Sequence, residues 1–228
     1  PDDVELGCGG TLMKEVAKGK KVGIIDLTYG DLGTRGTVEI RLKEAALAAE
    51  LMGLSARENL GFRDGFFQQD ETHRLKVIGA IRKYRPEIVI CNAPEDRHPD
   101  HGRAAELVAE AAFYAGLTKI ETHDENGVSQ VAWRPKVVYH YIQFKDLKPD
   151  FVVDISDFME AKMKAILAHA SQFFNPNSAE PQTLIASPEF LDYTRHRASN
   201  LGIIANLKYA EGFLVRRLPG VNSISDLL

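Results

Sequence analysis

Two short clusters hold the side chains of this chain best suited to chemistry. One is Arg97-His98-Pro99-Asp100-His101, where two imidazoles at i and i+3 flank a carboxylate. The other is Asp2-Asp3, just ahead of a stretch with helical spacing. Imidazole is the commonest zinc ligand, and carboxylates act both as ligands and as proton acceptors. One carboxylate and one imidazole drawn from the two clusters can bind a metal, leaving one of each unligated. That composition matches a hydrolytic zinc site, which keeps an open position for water and an acid/base group beside it. Each cluster alone also has a structural explanation. A histidine pair can divide between a helix cap and the core, and an acidic pair is favoured at a helix N-terminus by the dipole.

The elements that would position these groups alternate between strand and helix, the pattern of a doubly wound α/β fold. Gly9-Gly10-Thr11 opens a helix through about Ala17, and Lys21 to Leu27 reads as a buried strand. The following loop, Thr28 to Gly36, carries three glycines, and Thr37 can cap a helix that runs through Leu51 and stops at Gly53. Asp70 to Tyr84 has Leu75, Ile78 and Ile81 on one helical face. The β-branched run Glu87 to Cys91 reads as a strand, broken by Asn92-Ala93-Pro94 and followed by the histidine cluster. Helical spacing resumes over His101 to Ala115. Strands are expected at Lys136–Ile142, Phe151–Ile155 and Gly212–Val215, with helices at about Phe158–His169 and Pro188–Leu201. In an open α/β sheet, ligands bind beyond the carboxyl ends of the strands, so His98 and His101 stand where a site is expected. No repeat or linker divides the chain, and residues 1–228 read as a single domain.

Composition narrows the classes. Of 228 residues, 44% are hydrophobic and 26% charged, as in an ordinary globular domain. The net charge of −4, without a Lys/Arg cluster, argues against a nucleic-acid partner. No apolar run reaches the roughly 18 residues that span a bilayer, so no membrane partner is expected. The two cysteines, Cys8 and Cys91, suit a reducing compartment, and the expected location is cytoplasmic. No Gly-x-Gly-x-x-Gly follows a strand, which leaves a dinucleotide site unsupported.

Pro1-Asp2-Asp3-Val4-Glu5, Gly33-Thr34-Arg35-Gly36-Thr37 and His98-Pro99-Asp100-His101 together resemble the zinc-dependent LmbE-like N-acetylglucosamine deacetylases (the PIG-L superfamily), nearest to the bacillithiol-biosynthesis, BshB-type branch. The resemblance covers nearly the whole chain. It implies a Rossmann-like three-layer α/β sandwich with a mostly parallel sheet, whose first strand is expected upstream of Pro1. It also implies one Zn²⁺ per subunit, held by Asp3, His101 and a histidine expected immediately before Pro1. Asp2 would then be the general base, and His98 the group that stabilises the oxyanion and can protonate the departing amine. Relatives of this type form trimers and hexamers.

The implied substrate is N-acetylglucosaminyl malate, with acetate and the free amine as products. Diacetylchitobiose, a mycothiol-type conjugate, or a catalytically inactive sugar-binding relative are the alternatives. By resemblance Arg41 contacts a sugar hydroxyl; the structural alternative is an i, i+3 pair with Glu44. Arg97 is placed to hold the malyl carboxylate or to form an exposed salt bridge, and Thr34 and Arg35 belong to a loop that can floor or lid the pocket. Asp100 is expected either to orient one imidazole or to cap the helix that follows. Cys8 and the histidines at 73, 123, 140, 169 and 196 are read as structural or exposed, although His140 sits on a strand and could line a pocket.

Overall fold

The computed structural model describes residues 1–227. Among the described residues, six α-helices and six strands follow one another as α1 (Asp3–Ala17), β1 (Gly23–Thr28), α2 (Val38–Met52), β2 (Ala56–Phe62), α3 (Glu71–Tyr84), β3 (Ile88–Cys91), α4 (Pro99–Tyr114), β4 (Val137–Tyr141), β5 (Phe151–Asp154), α5 (Met159–Leu167), α6 (Pro188–Ile204) and β6 (Ala210–Val215). β1 pairs with β2 and β3 with β4, both in parallel. Around β4 the order is β3-β4-β6-β5, and both pairings of β6 are antiparallel. The expected α/β architecture is present, with the parallel pairs at the site and an antiparallel ending contributed by β5 and β6. Among the described residues, no helix is long and apolar enough to cross a membrane.

Local signals explain most boundaries. Thr37 caps α2 by accepting from the Ile40 N–H, and Gly53 ends it at φ 68°. Asp70 caps α3 through the His73 N–H, and Ser187 caps α6 ahead of Pro188. α1 begins at Asp3, earlier than Gly9, because two helical segments join at a kink where Cys8 has φ −147°. The kink exposes fresh N–H groups, and Glu211 on β6 accepts from Gly10 and Thr11 at 3.0 and 2.7 Å. Lys162 on α5 neutralises that carboxylate at 2.6 Å, so the second half of α1 is capped by a buried ion pair.

β2 is the element that patterning misses. Its sequence, Ala-Arg-Glu-Asn-Leu-Gly-Phe, has no alternation because its polar side chains are used inside the fold. Arg57 forks onto Asp26 of β1 and reaches Glu5 of α1 at 2.5 Å, while Asn59 donates to the Thr28 carbonyl. Apolar packing lies around α3 and α4 (Ile78, Leu107, Phe62), around α1 and β6 (Leu12, Met52, Phe213), and between α5 and α6 (Met159, Ile166, Phe190).

Candidate active site

The segments that follow β1, β2, β3 and β4 line one cavity of about 360 Å³, together with the start of α1 and one face of α6. That volume lies within the roughly 300–1,000 Å³ of small-molecule sites, and its place at the strand ends is where the sequence positions it.

α1 delivers Asp2 and Asp3 into this cavity, and α4 delivers His98 and His101. Asp2 stands at the N-cap position of α1 but makes no capping hydrogen bond, so its carboxylate is not spent on the helix. Its backbone is left-handed at φ 88°, a conformation of the kind that collects at functional sites. Arg41 of α2 holds the Asp2 carboxylate at 3.3 Å and also donates to the Gly30 carbonyl at 2.6 Å. Burial, and then the neighbouring Asp3 charge, push the Asp2 carboxyl above its ordinary value despite Arg41. Gly30 is required by this packing, because a Cβ there would lie 2.2 Å from Arg41 Nη1 at a φ of 67°.

Asp3 Oδ2 lies 3.2 Å from His101 Nε2. The other imidazole nitrogen, Nδ1, meets Asp96 Oδ2 at 2.7 Å. Burial would lower the His101 pKa, but the Asp3 and Asp96 carboxylates outweigh it and push it up to about 10. The same pairing holds Asp3 well below the usual carboxylate range against the opposing effect of burial. Gln143, just past β4, donates to Asp3 Oδ1 at 2.5 Å.

His98 caps α4, its Nδ1 accepting from the Asp100 N–H at 3.2 Å. With Nδ1 an acceptor, a neutral His98 carries its proton on Nε2, which makes that nitrogen a donor. The two imidazoles lie 5.3 Å apart between centroids.

Several expectations change here. The Asp100 carboxylate orients neither imidazole: it accepts from the Gly65 N–H at 2.8 Å and pairs with Arg103, while Asp96 fixes His101, and Asp100 holds His98 only through its backbone N–H. Nor is it the cap, a position His98 takes. Arg41 makes no pair with Glu44, whose carboxylate accepts from Ser171 instead. It lines the cavity, but Nη1 and Nη2 are engaged by the protein. Arg35 is buried against Ser178 and Glu180, outside the cavity lining, because those residues offer it a partnered interior; it ties two loops together. Thr34 is exposed and also outside the lining. Arg97 lines the cavity and forms no salt bridge among the described residues, its guanidinium lying 5.1 Å from the centroid of the Phe144 ring. His140 does not line the cavity: it is buried between the Asn92 carbonyl and Arg216. Asp96, Gln143, Asp64 and Arg197 of the site went unsingled in the sequence. Only Asp96, adjoining the histidine cluster, carried even a positional hint.

Comparison with known proteins decides the family. Residues 1–112 match the model of PIG-L, the GlcNAc-PI de-N-acetylases. A diacetylchitobiose deacetylase of Thermococcus kodakarensis is 33% identical over 97% of this chain and 81% of its own length. The chain belongs to the PIG-L family. A probable N-acetyl-alpha-D-glucosaminyl L-malate deacetylase 2 of Bacillus cereus is 29% identical, over 75% of this chain and 80% of its own. The conserved protein TT1542 of Thermus thermophilus superposes with a TM-score of 0.85 at 36% identity, covering 98% of this chain and 94% of that one. A PIG-L deacetylase must attack a resonance-stabilised amide, and the acidic and imidazole groups gathered in the cavity are of the kind that task requires.

Proposed function

We propose that this PIG-L deacetylase hydrolyses the acetamide of a small N-acetylglucosaminide with the aid of one zinc ion. The observation that carries the reading is the pairing of Asp3 with His101 at 3.2 Å while Asp96 grips the far nitrogen of the same ring. A carboxylate behind a ligating imidazole fixes the tautomer and the ring plane, leaving Nε2 as the metal donor. Among the described residues no third His, Cys, Asp or Glu joins them as a cluster, and the proposal places the remaining protein donor on a histidine ahead of Pro1. Bound there, zinc supplies Lewis acidity towards the amide carbonyl and acidifies water towards neutral pH.

The chain's own groups divide the remaining work. Asp2, buried and with its carboxyl raised, accepts the proton of the attacking water. Arg41 positions Asp2 and restrains it on the cavity side. His98, its Nδ1 held as an acceptor by the Asp100 N–H, donates from Nε2–H to the developing oxyanion, and the proton taken up by Asp2 passes to the amine as it leaves. Gln143 holds Asp3 in the ligating orientation.

Two aglycones are favoured by different observations. Arg97 in the lining suits the carboxylates of a malyl glycoside, while the 33% identity over 97% of the chain supports a diacetylchitobiose-type sugar. Acetate release from N-acetylglucosaminyl malate and from diacetylchitobiose, before and after chelation and zinc restoration, tests the reading. Activity that disappears on chelation and returns with zinc is expected. Release that is indifferent to chelation, or absent from both substrates, would contradict it.

A further inference from the structure

We propose that Arg197 is a specificity residue that binds a carboxylate on the aglycone, the part of the substrate that remains on the amino sugar after deacetylation. The proposal rests on the deacetylase reading of the cavity. Arg197 lies on α6, one turn beyond Tyr193, and lines the cavity. Its Nη2 is buried without a hydrogen-bond partner among the described residues. A buried donor left unpaired costs free energy that a bound acceptor recovers.

Among the other cations of the lining, Arg41 also has a buried nitrogen without a partner, Nε, but both of its terminal nitrogens are engaged. Arg41 is held by Asp2, and Lys162 by Glu211. Arg97 is stacked on Phe144. The carboxylate nearest in function, Asp96, has its oxygens engaged by His101 and by the N–H groups of Arg97 and Lys145. Burial therefore weighs on the Arg197 guanidinium and pushes its pKa down, only partly offset by Tyr193 and by the charges of Asp96 and Asp146.

The place of Arg197 also fits the aglycone. The Tyr193 hydroxyl donates to the Phe144 carbonyl at 2.7 Å, and the two rings lie 5.8 Å apart. Arg97, Phe144, Tyr193 and Arg197 thus form one continuous wall that brings a second guanidinium to the cavity. Arg97 directly precedes His98, so this wall adjoins the reacting groups without being part of them. A planar guanidinium fork matches a carboxylate in geometry as well as charge, whereas a neutral sugar leaves the charge unmatched.

The test measures binding of α-glucosaminyl L-malate and of methyl α-glucosaminide by calorimetry, for the zinc-loaded wild type, Arg197→Met and Arg197→Lys. Steady-state KM and kcat for the N-acetylated forms of both glycosides run beside it. Wild type is expected to prefer the malyl glycoside, and Arg197→Met to lower that preference about 10–100-fold, through KM rather than kcat. Arg197→Lys keeps the charge and loses the fork, so an intermediate preference is expected. It decides the matter if the methionine variant does not fold. No preference in the wild type, or one left undiminished by either substitution, overturns the proposal. A wild type that binds the malyl glycoside selectively yet releases no acetate from either substrate would refute the deacetylase reading alone.

Discussion

At the residue scale, the two aspartates that stand side by side in sequence have opposite surroundings. Asp2 is buried, held by Arg41 and raised in pKa, whereas Asp3 is paired with His101 and depressed. That contrast is the ground on which we propose proton transfer at Asp2 and ligation at Asp3. Replacing Asp96 with Asn is expected to weaken zinc affinity about 10–100-fold, because the ring of His101 loses the carboxylate that orients it. Titration of the variant with zinc against a competing chelator checks this. The motif residues Asp2, Asp3, His98 and His101 were legible in the sequence because their types and spacing are unusual together. Asp96, Gln143 and Arg197 were not, since each is an ordinary polar residue whose meaning comes only from what the fold puts opposite it. Asp100 was misassigned for the same reason: its neighbours along the chain are histidines, but its carboxylate turns to Gly65 and Arg103.

At the scale of elements, the site depends on how α1, α2 and the β1–α2 loop are locked. Gly30 lets the loop pass against Arg41, so Gly30→Ala forces a Cβ into the guanidinium at a φ that favours glycine. A loss of roughly 1–3 kcal/mol of stability is expected, with slower acetate release and zinc content retained; thermal melts and metal analysis on one preparation separate these effects. The helix cap at Thr37, the helix that follows Asp70 and the strand at 88–91 followed directly from residue type and period. The kink at Cys8 and the strand β2 did not. The first is imposed by Glu211, some two hundred residues away in sequence, and the second by side chains that alternate in hydrogen bonding rather than hydrophobicity.

At the scale of the molecule, a buried charged network beneath the site ties three elements together. Glu5 of α1 meets Arg57 of β2 at 2.5 Å and His169 beyond α5 at 3.0 Å, and Arg57 in turn grips Asp26 of β1. Burial would raise the Glu5 carboxyl, but the His169 hydrogen bond and the Arg57 charge bring it down to about 2. A depressed carboxylate pKa stabilises the fold fully above the unfolded value of about 4.3, and that stabilisation is lost as the pH falls towards 2. Denaturant melts between those limits should show a steeper loss for wild type than for Glu5→Gln, which is already destabilised at neutral pH because Arg57 loses a charged partner. The layered α/β fold itself was legible from the alternation of strand and helix. The antiparallel ending through β5 and β6 was not, because strand direction is set by tertiary pairing.

The central claim is that Asp2 moves the proton while Asp3 and His101 hold the metal. It is tested most directly by measuring bound zinc and acetate release on the same samples of wild type, Asp2→Asn and His101→Ala. Asp2→Asn is expected to keep its zinc and lose about 10²–10⁴-fold in turnover, while His101→Ala loses the zinc itself. Equal loss of metal in both variants, or an Asp2→Asn enzyme as fast as wild type, would contradict that division.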